Sequence, residues 1–338
     1  MPVWKIRSLR AGREQRVPLA ESGVTSLSIP RAVGPDRVRI AYARTVRDSN
    51  IWRIREPDPS HPAGIAKPEP FSPINSTRPE RGAQFSPDGN RIAFLSSRSG
   101  SDEIWVCRSD GSKLMQLTSF GGVQIGHPEW APDSERIVFH ARPEGRSRLY
   151  VVSASGGPPR QLDHGSMQAA LPNWSRDGRS IYYDTVGSHQ IWKIPAGGGQ
   201  PAQVTKGPDD YFAVESLDGK ALYYSKHTAT GFSLWKLSFE SGAESQVLVL
   251  EPLSGGTGFF VVEDGIYFSA RREARTHGSI RFFNFASGKI SEVAAIDKSP
   301  LGLTAFPFSR GQARTILFGQ LDRSGSDLML IENLPVDR

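Results

Sequence analysis

The sequence predicts an all-β fold, a β-propeller of seven four-stranded blades, and three observations support this. An aromatic residue, a Pro-Asp-Gly type of turn and an apolar run recur together along the 338 residues. The turn aspartates Asp88, Asp133, Asp177, Asp218 and Asp264 are spaced 45, 44, 41 and 46 residues apart. A period in the low forties is typical of one propeller blade. Gly (34) and Pro (25) are frequent, as many short strands joined by turns require.

Each repeat is interpreted as four strands, a to d, in chain order. Strand a ends at the aromatic residue, and the turn follows because proline presets φ, aspartate bonds its own backbone and glycine accepts positive φ. Strand b is the next apolar run, strand c is an Ile-Trp or Leu-Tyr segment, and a Gly-rich turn precedes strand d. Seven copies of the a–b motif are present: Ile29–Tyr42, Phe85–Phe94, Trp130–Phe139, Trp174–Tyr183, Glu215–Tyr224, Val261–Phe268 and Phe306–Phe318.

The two ends of the chain predict how the ring of blades closes. Val3–Ile6 and Ala11–Leu19 have the character of strands c and d, whereas Thr304–Leu334 contains strands a, b and c without a strand d. We therefore expect an N-terminal strand to complete the C-terminal blade, which removes two exposed strand edges. The alternative is eight blades, one of them incomplete. Either arrangement makes residues 1–338 a single domain.

The repeat, as in FSPDGNRIAF from Phe85 to Phe94 followed by Ile-Trp and a turn leading to Gln-Leu-Thr, resembles the WD40-like repeat of the TolB propeller. This resemblance covers nearly the whole chain. The phrase from Asp48 to Phe139 is similar to a narrower bacterial group, in which the propeller is the C-terminal part of a winged-helix regulator or a serine/threonine kinase. The resemblance implies the sensor or interaction part of a larger signalling or transcription-regulatory protein.

The sequence contains no recognisable catalytic motif. It has no Gly-x-Ser-x-Gly at a strand-to-helix turn, no His-Glu-x-x-His, no P-loop and a single cysteine, Cys107, in an apolar strand. We therefore predict a non-catalytic protein- or ligand-binding module without a cofactor. Two alternatives stay open. One is a metal-dependent lyase or hydrolase of anionic saccharides, similar to oligogalacturonate lyase, with metal ligands among His127, His189, His227 and His277. The other is a TolB-type scaffold of the cell envelope.

The predicted binding surface is the face where the d–a and b–c loops meet, which we call the loop-rich face. The formal net charge is +6, and guanidinium groups favour carboxylate or phosphate partners. The predicted binding residues are Arg44, Arg47, Arg98, His127, Arg142, Arg146, Arg271, Arg272 and Arg275. They predict a protein or small anionic ligand as partner. Direct nucleic-acid binding is not predicted, because no basic stripe with stacking aromatics is present.

The sequence also predicts where the chain resides. No apolar run approaches the roughly 18 residues that span a bilayer, and the N-terminus lacks the apolar region of a signal peptide. We expect a monomer that is cytoplasmic as the chain stands, or periplasmic if it is part of a longer anchored or exported protein.

Overall fold

The computed structural model describes residues 3–7, 14–18, 24–28, 37–55, 66–165, 167–229, 231–250, 258–271, 278–297, 300–306 and 315–335. Side chains are described for residues 48–55, 66–165, 167–229, 231–250, 258–270, 278–297 and 315–322. The chain divides into two compact units, residues 1–48 with 322–338 and residues 49–321. The single domain expected over residues 1–338 stays a prediction.

The smaller unit contains two antiparallel pairs of strands. β1 (Val3–Arg7) pairs with β2 (Glu14–Pro18), and β3 (Val24–Ser28) pairs with the first part of β4 (Arg37–Arg55). The last part of β4 belongs to the larger unit, where it pairs with β5 (Glu69–Pro70).

The larger unit is a ring of antiparallel sheets, which we call blades 1 to 6. Blade 1 consists of β6 (Glu80–Phe85), β7 (Arg91–Ser96), β8 (Glu103–Arg108) and β9 (Met115–Gln116). Blade 2 consists of β10 (Ile125–Trp130), β11 (Arg136–Ala141), β12 (Arg148–Ser153) and β13 (Arg160–Gln161), with a 3-10 helix at Pro143–Gly145. Blade 3 consists of β14 (Ala169–Trp174), β15 (Ser180–Thr185), β16 (Ile191–Pro195) and β17 (Ala202–Gln203).

The remaining blades complete the ring. Blade 4 consists of β18 (Asp210–Glu215), β19 (Ala221–Thr228), β20 (Gly231–Ser238) and β21 (Glu244–Leu250). Blade 5 consists of β22 (Phe259–Val262), β23 (Gly265–Arg271), β24 (Gly278–Asn284) and β25 (Ile290–Ile296). Blade 6 combines β26 (Pro300–Phe306) and the first part of β27 (Thr315–Pro335) with the end of β4 and with β5. Each innermost strand contacts the next, and β26 contacts β6, so the ring closes.

The fold is the predicted propeller of four-stranded blades, but the predicted number of blades is wrong. The described residues form six blades, not seven or eight. The copy of the repeat at Ile29–Tyr42 lies at the hairpin of β3 and β4 and partly outside the described residues. Its strand b and the expected strand c are one continuous strand, β4, over Arg37–Arg55. Because β4 pairs with β3 along its first part and with β5 at its end, this copy forms no meander of its own, and the end of β4 serves blade 6.

The strands that close the ring also differ from the predicted ones. Val3–Ile6 and Ala11–Leu19 supply β1 and β2, which pair with each other. The closing strands c and d are instead Ile51–Arg55 and β5. The segment expected as a separate last strand c, Leu328–Ile331, is part of the unbroken β27.

The a–b turns are held by the aspartates of the repeat. Asp88 Oδ1 accepts a hydrogen bond from the backbone N–H of Asn90 (3.1 Å), and Asp177 Oδ1 accepts one from Arg179 (3.0 Å). Ser175 Oγ also donates to Asp177 Oδ1 at 2.6 Å, and this bond is the main cause of the lowered pKa of Asp177. The regularly spaced aspartates are therefore turn residues, one to a blade.

Tryptophans of strand a join neighbouring blades. Trp130 at the end of β10 donates its Nε1–H to the carbonyl of Gln84 in blade 1 (3.2 Å), and the guanidinium of Arg91 lies 5.3 Å from its ring centroid. Trp174 repeats the arrangement one blade later, with its Nε1–H on the carbonyl of Glu129 (3.1 Å) and Arg136 at 4.7 Å. These contacts tie each blade to the next around the buried apolar core.

Each of four inner strands contains a β-bulge with one residue at positive φ. The four are Gly82 (+62°), His127 (+49°), Leu171 (+48°) and Phe212 (+39°), at equivalent positions of blades 1 to 4. Positive φ is unfavourable for residues other than glycine. The circular arrangement of the blades brings the side chains of His127 and Phe212 together, with their ring centroids 6.1 Å apart. Leu171 lies on the blade between them.

Among the residues that the structure describes, none of the helices has the length and apolar character needed to cross a membrane.

The contacts between blades predict a difference between two tryptophans. Trp130→Phe removes the hydrogen bond to the Gln84 carbonyl and weakens the contact with Arg91, so we expect a loss of about 1–2 kcal/mol in the free energy of unfolding. Trp192→Phe is the matched control, because Trp192 Nε1 is buried without a hydrogen-bond partner. Urea unfolding measures both. An equal loss in the two variants contradicts the assigned role of the Trp130 hydrogen bond.

Candidate functional site

The structure describes only some of the predicted binding residues. Side chains are described for Arg98, His127, Arg142 and Arg146. Arg44, Arg47 and Arg271 are described by their backbone alone, and Arg272 and Arg275 lie outside the described residues. The predicted set of binding residues therefore stays a prediction as a whole. The described arginines of this set lie in different surroundings.

Arg98 is engaged inside the protein. Its Nη2 lies 3.1 Å from Oε1 of Glu80, a carboxylate with no solvent exposure, and its Nε donates to Ser96 Oγ at 2.9 Å. The guanidinium also lies 5.1 Å and 5.3 Å from the ring centroids of Phe94 and Trp105. This arginine supports blade 1, and its Nε and Nη2 groups are already engaged by Ser96, Ile74 and Glu80. Arg146, in contrast, is exposed beside the 3-10 helix of blade 2.

His127 and His140 form a stacked pair of imidazoles in blade 2. Their ring centroids are 5.8 Å apart with 24° between the planes. His127 was expected in a d–a loop but lies on the inner strand β10, whereas His140 lies on β11 directly opposite Gly126. A Cβ at Gly126 would come within 2.8 Å of His140 Cε1, so glycine there makes room for the ring.

Burial keeps both imidazoles neutral at pH 7. It lowers the pKa of His127 to about 4, with Arg81 adding to the effect. It lowers the pKa of His140 to about 3, with His127 and Arg142 adding to it. His140 Nδ1 has no hydrogen-bond partner.

Asp184, His189 and Tyr211 continue the polar group into blades 3 and 4. Asp184 lies on β15 with its side chain 3% exposed, and its Oδ2 is 3.5 Å from His189 Nδ1. His189, in the b–c loop at φ +48°, stacks on Tyr211 with the ring centroids 4.3 Å apart. Burial raises the pKa of Asp184, and the neighbouring His189 and Arg142 oppose that rise.

We call the six residues His127, His140, Arg142, Asp184, His189 and Tyr211 the mouth cluster. In this cluster three buried polar atoms have no hydrogen-bond partner, namely His140 Nδ1, Arg142 Nε and Asp184 Oδ1, and His189 Nδ1 has only the 3.5 Å contact with Asp184 Oδ2. Native proteins pair the large majority of such atoms. The cluster therefore combines an unsatisfied cationic donor, an unsatisfied carboxylate oxygen and two imidazoles beside the innermost strands.

The predicted set contained His127 and Arg142 but missed the other four residues as a group. A comparison of the repeats reveals two of them, because one position of strand b holds Leu95, His140, Asp184 and Ser225 in blades 1 to 4. An imidazole and a carboxylate thus occupy a buried position at which blade 1 has leucine.

A second polar group lies further along β10. Burial raises the pKa of Glu129 to about 8, although a hydrogen bond from Gln84 and the charge of Arg176 oppose the rise. Arg176 donates its backbone N–H to Glu215 Oε2 (2.6 Å) and its Nε–H to the Glu215 carbonyl (3.2 Å). Arg176 and Glu215 are thus joined by two hydrogen bonds.

A groove of about 960 Å³ lies on the opposite face, between the turns of blades 4 and 5. The exposed apolar side chains Leu217, Phe239 and Phe285 line it together with Lys220 and Lys236. None of the described residues that line this groove has a buried, unpaired polar atom of the kind found in the mouth cluster. A variant in the groove is therefore a suitable control for variants of the cluster.

Among the described residues, no three His, Cys, Asp or Glu side chains lie close enough together to hold a metal ion. His277, one of the four histidines considered for a metal, lies outside the described residues, and His227 is exposed at the end of β19.

Curated proteins that resemble this chain do so over part of its length. The chain is 27% identical over 128 residues to "Tricorn protease homolog 1" of Streptomyces coelicolor, covering 36% of this chain and 12% of that protein. It is 32% identical over 123 residues to "Protein TolB homolog" of Chlorobaculum tepidum, covering 35% of this chain and 27% of that protein. The chain thus spans a small part of these relatives, and their names include both a protease and a TolB protein.

Solved structures share the fold at low sequence identity. TolB from Acinetobacter baumannii superposes with a TM-score of 0.55 at 17% identity, over 82% of this chain and 66% of that one. A putative TolB from Agrobacterium tumefaciens superposes with a TM-score of 0.60 at 14% identity, over 81% of this chain and 98% of that one. Residues 72–250 match the family model described as the TolB beta propeller domain. Because that match covers more than half of the 338 residues, the chain belongs to the TolB beta propeller domain family.

Proposed function

We propose that this propeller is a non-catalytic binding module that takes its ligand or partner at the mouth cluster, on the loop-rich face. The observation that carries the proposal is the set of three buried, unpaired polar atoms of His140, Arg142 and Asp184. Leaving a buried polar group without a partner costs about 1–3 kcal/mol, and more when the group is charged. A fold that tolerates three such atoms in one cluster gains by binding a molecule that satisfies them.

The position of the cluster supports the same proposal. His127, Arg142, His189 and Tyr211 are half-buried, whereas His140 and Asp184 are buried beneath them. A ligand that approaches from the loop-rich face therefore meets a partly open rim, and the unsatisfied atoms lie buried below it. Loops on a rigid scaffold are where proteins most often place binding residues.

The wider role as the sensor part of a bacterial signalling or transcription-regulatory protein also belongs to this proposal. It is supported by the resemblance of the phrase from Asp48 to Phe139 to the propellers of winged-helix regulators and kinases. A TolB-type scaffold of the cell envelope is the second candidate, and the similarity to the TolB protein of Chlorobaculum tepidum favours it. A binding site at the mouth cluster is compatible with either role.

Two buried carboxylates give a test of whether the cluster is reserved for a ligand. Glu103 is 1% exposed and accepts hydrogen bonds from Thr118 Oγ1 (2.6 Å), Phe120 N (2.8 Å) and Gly121 N (3.0 Å). Glu103→Gln should therefore cost about 2–4 kcal/mol of unfolding free energy. Asp184→Asn removes a buried charge with an unpaired oxygen, so we expect the melting temperature at pH 8 to stay the same or rise.

Thermal unfolding at pH 8 of the wild type and the two variants measures this difference. A loss of stability in Asp184→Asn as large as that in Glu103→Gln would mean that Asp184 is a structural residue, and the site proposal would fail.

Binding itself is tested by ligand-observed NMR of the full chain with a library of charged and neutral fragments. We expect hits whose signals disappear with Arg142→Leu and with Asp184→Asn. The same hits should persist with Lys236→Ala, the control variant in the groove on the opposite face. Hits that depend on Lys236 but not on Arg142 or Asp184 would place binding in the groove and overturn the proposed site.

The stacked imidazoles predict a loss of stability in acid. Below about pH 6.5, the unfolded chain protonates His127 and His140, whereas the folded chain resists protonation until about pH 4 for His127 and about pH 3 for His140. The unfolded state then binds more protons, so the free energy of unfolding falls as pH drops below 6.5. Replacing His140 by Gln should reduce the fall in melting temperature between pH 7 and pH 5.

His227→Gln, at an exposed histidine, is the control for this measurement. If His140→Gln and His227→Gln have the same pH dependence as the wild type, the buried imidazoles do not cause the acid sensitivity.

A further inference from the structure

We infer that the groove between the turns of blades 4 and 5 is an interface at which two copies of this chain associate. The groove lies on the face opposite to the mouth cluster, so this inference does not rest on the proposed function. It differs from the monomer expected from the sequence. It follows from exposed aromatic side chains where other blades have small residues, from the support beneath those rings and from the charges around them.

The two phenylalanines of the groove occupy a position that holds small residues in the other blades. In each of blades 1 to 5, the first residue after strand c donates its backbone N–H to the carbonyl of the residue before strand b. The turn itself therefore does not require an aromatic side chain. Phe239 and Phe285 are 40% and 37% exposed, whereas Ala154 and Ala196 are buried. The residues at this position, in the order of blades 1 to 5, are Ser109, Ala154, Ala196, Phe239 and Phe285.

Leu217 and Ile290 extend the exposed apolar surface of these two blades. Leu217 directly precedes the turn aspartate of blade 4, where blades 1 and 2 have proline and blade 3 has arginine. Ile290, the first residue of β25, is also exposed. Five of the eight large hydrophobic side chains that are exposed among the described residues lie in blades 4 and 5. Single exposed apolar residues need no explanation, but their concentration in two neighbouring blades marks an interaction surface.

Contacts beneath the groove hold its aromatic side chains in place. The buried Tyr223 of blade 4 stacks on Phe285 of blade 5, with the ring centroids 5.8 Å apart and 18° between the planes. Phe283 makes an edge contact with Phe285 at 6.2 Å, and Lys236 Nζ lies 5.9 Å from the ring centroid of Tyr223. Because these side chains are already ordered, association costs less side-chain entropy than it does at a flexible surface.

The charges around the groove indicate which partner it fits. Two lysines, Lys220 and Lys236, line the groove together with three acidic residues, Asp218, Glu240 and Glu263. A uniformly acidic or uniformly basic partner would meet like charges, which are unfavourable across an interface. A second copy that approaches about a two-fold axis presents the same apolar centre and can place its lysines against the acidic residues of the first copy. A second copy of this chain therefore fits both the apolar and the charged parts of the groove.

Sedimentation equilibrium of the full chain tests the inference. We expect the weight-average mass to rise with protein concentration from 37.1 kDa towards twice that value. Phe239→Ala introduces the residue found at this position in blades 2 and 3, so the turn should still form. We expect this variant to weaken self-association at least about tenfold, which corresponds to about 1.4 kcal/mol. A chain that is monomeric at every concentration overturns the inference and leaves the groove to a different partner.

Two leucines of similar exposure provide a matched control. Leu217 in the groove is 40% exposed, and Leu114 in the turn before β9 of blade 1 is 42% exposed. We expect Leu217→Ser to weaken self-association and Leu114→Ser to leave it unchanged. Self-association that responds equally to both, or that responds to neither Leu217→Ser nor Phe239→Ala, uses another surface and overturns the inference. Leu217→Ser and Phe239→Ala are independent, so the test remains if one of them does not fold.

Charge variants test the two-fold arrangement. Lys220→Glu and Glu240→Lys should each weaken self-association, because each makes the groove more uniform in charge. An equimolar mixture of the two should associate more tightly than either variant alone, since the opposite charges then lie on different copies. A mixture that associates no more tightly than the single variants overturns the arrangement. Arg142→Leu, which lies on the other face, should leave the average mass unchanged, so self-association and binding at the mouth cluster succeed or fail separately.

Discussion

Each blade can bury its two faces only against its neighbours, so the stability of the ring depends on contacts that cross from one sheet to the next. Trp130 and Trp174 make these contacts in the same way, each with a hydrogen bond to a carbonyl of the preceding blade and an arginine over its ring. Where the pattern changes, at Glu215, a carboxylate and Arg176 take the place of the tryptophan. An open ring would leave two blades with an apolar face in water, which explains why the end of β4 is recruited to blade 6.

The mouth cluster arises because the repeat is not uniform at two of its positions. One is the residue at positive φ on the inner strand, which is glycine in blade 1 and His127, Leu171 or Phe212 in blades 2 to 4. The other is the strand b position that holds Leu95 in blade 1 but His140 and Asp184 in blades 2 and 3. The scaffold contacts remain alike while these positions diverge. Polar groups are thereby concentrated in one sector, and the positive φ of His127 is a stability cost at that place.

The period of the repeat was enough to predict strand boundaries and blade architecture for residues 80–250, because turn chemistry there is local. Asp88 and Asp177 each accept a hydrogen bond from the backbone N–H two residues later, so these turns can be predicted from the local sequence. The number of blades, in contrast, could not be predicted from the local sequence. It depended on whether β4 would bend between Tyr42 and Ile51, and on which strand would pair with β27. Similarly, Arg142 could be selected by type and loop position, whereas the place of His127 on the inner strand β10 and the burial of Asp184 depend on how the blades pack.

The strands of blade 6 come from distant parts of the sequence, so they are synthesised at very different times. Its strands c and d are synthesised first, at residues 51–55 and 69–70, and its strands a and b last, at residues 300–306 and 315–321. During translation the early strands must remain without their partners while five complete blades emerge. Pairings so distant in sequence form slowly and leave strand edges exposed to other chains in the meantime. The closing blade is thus the last to form, and β4 keeps an unpaired strand edge until β27 has been synthesised.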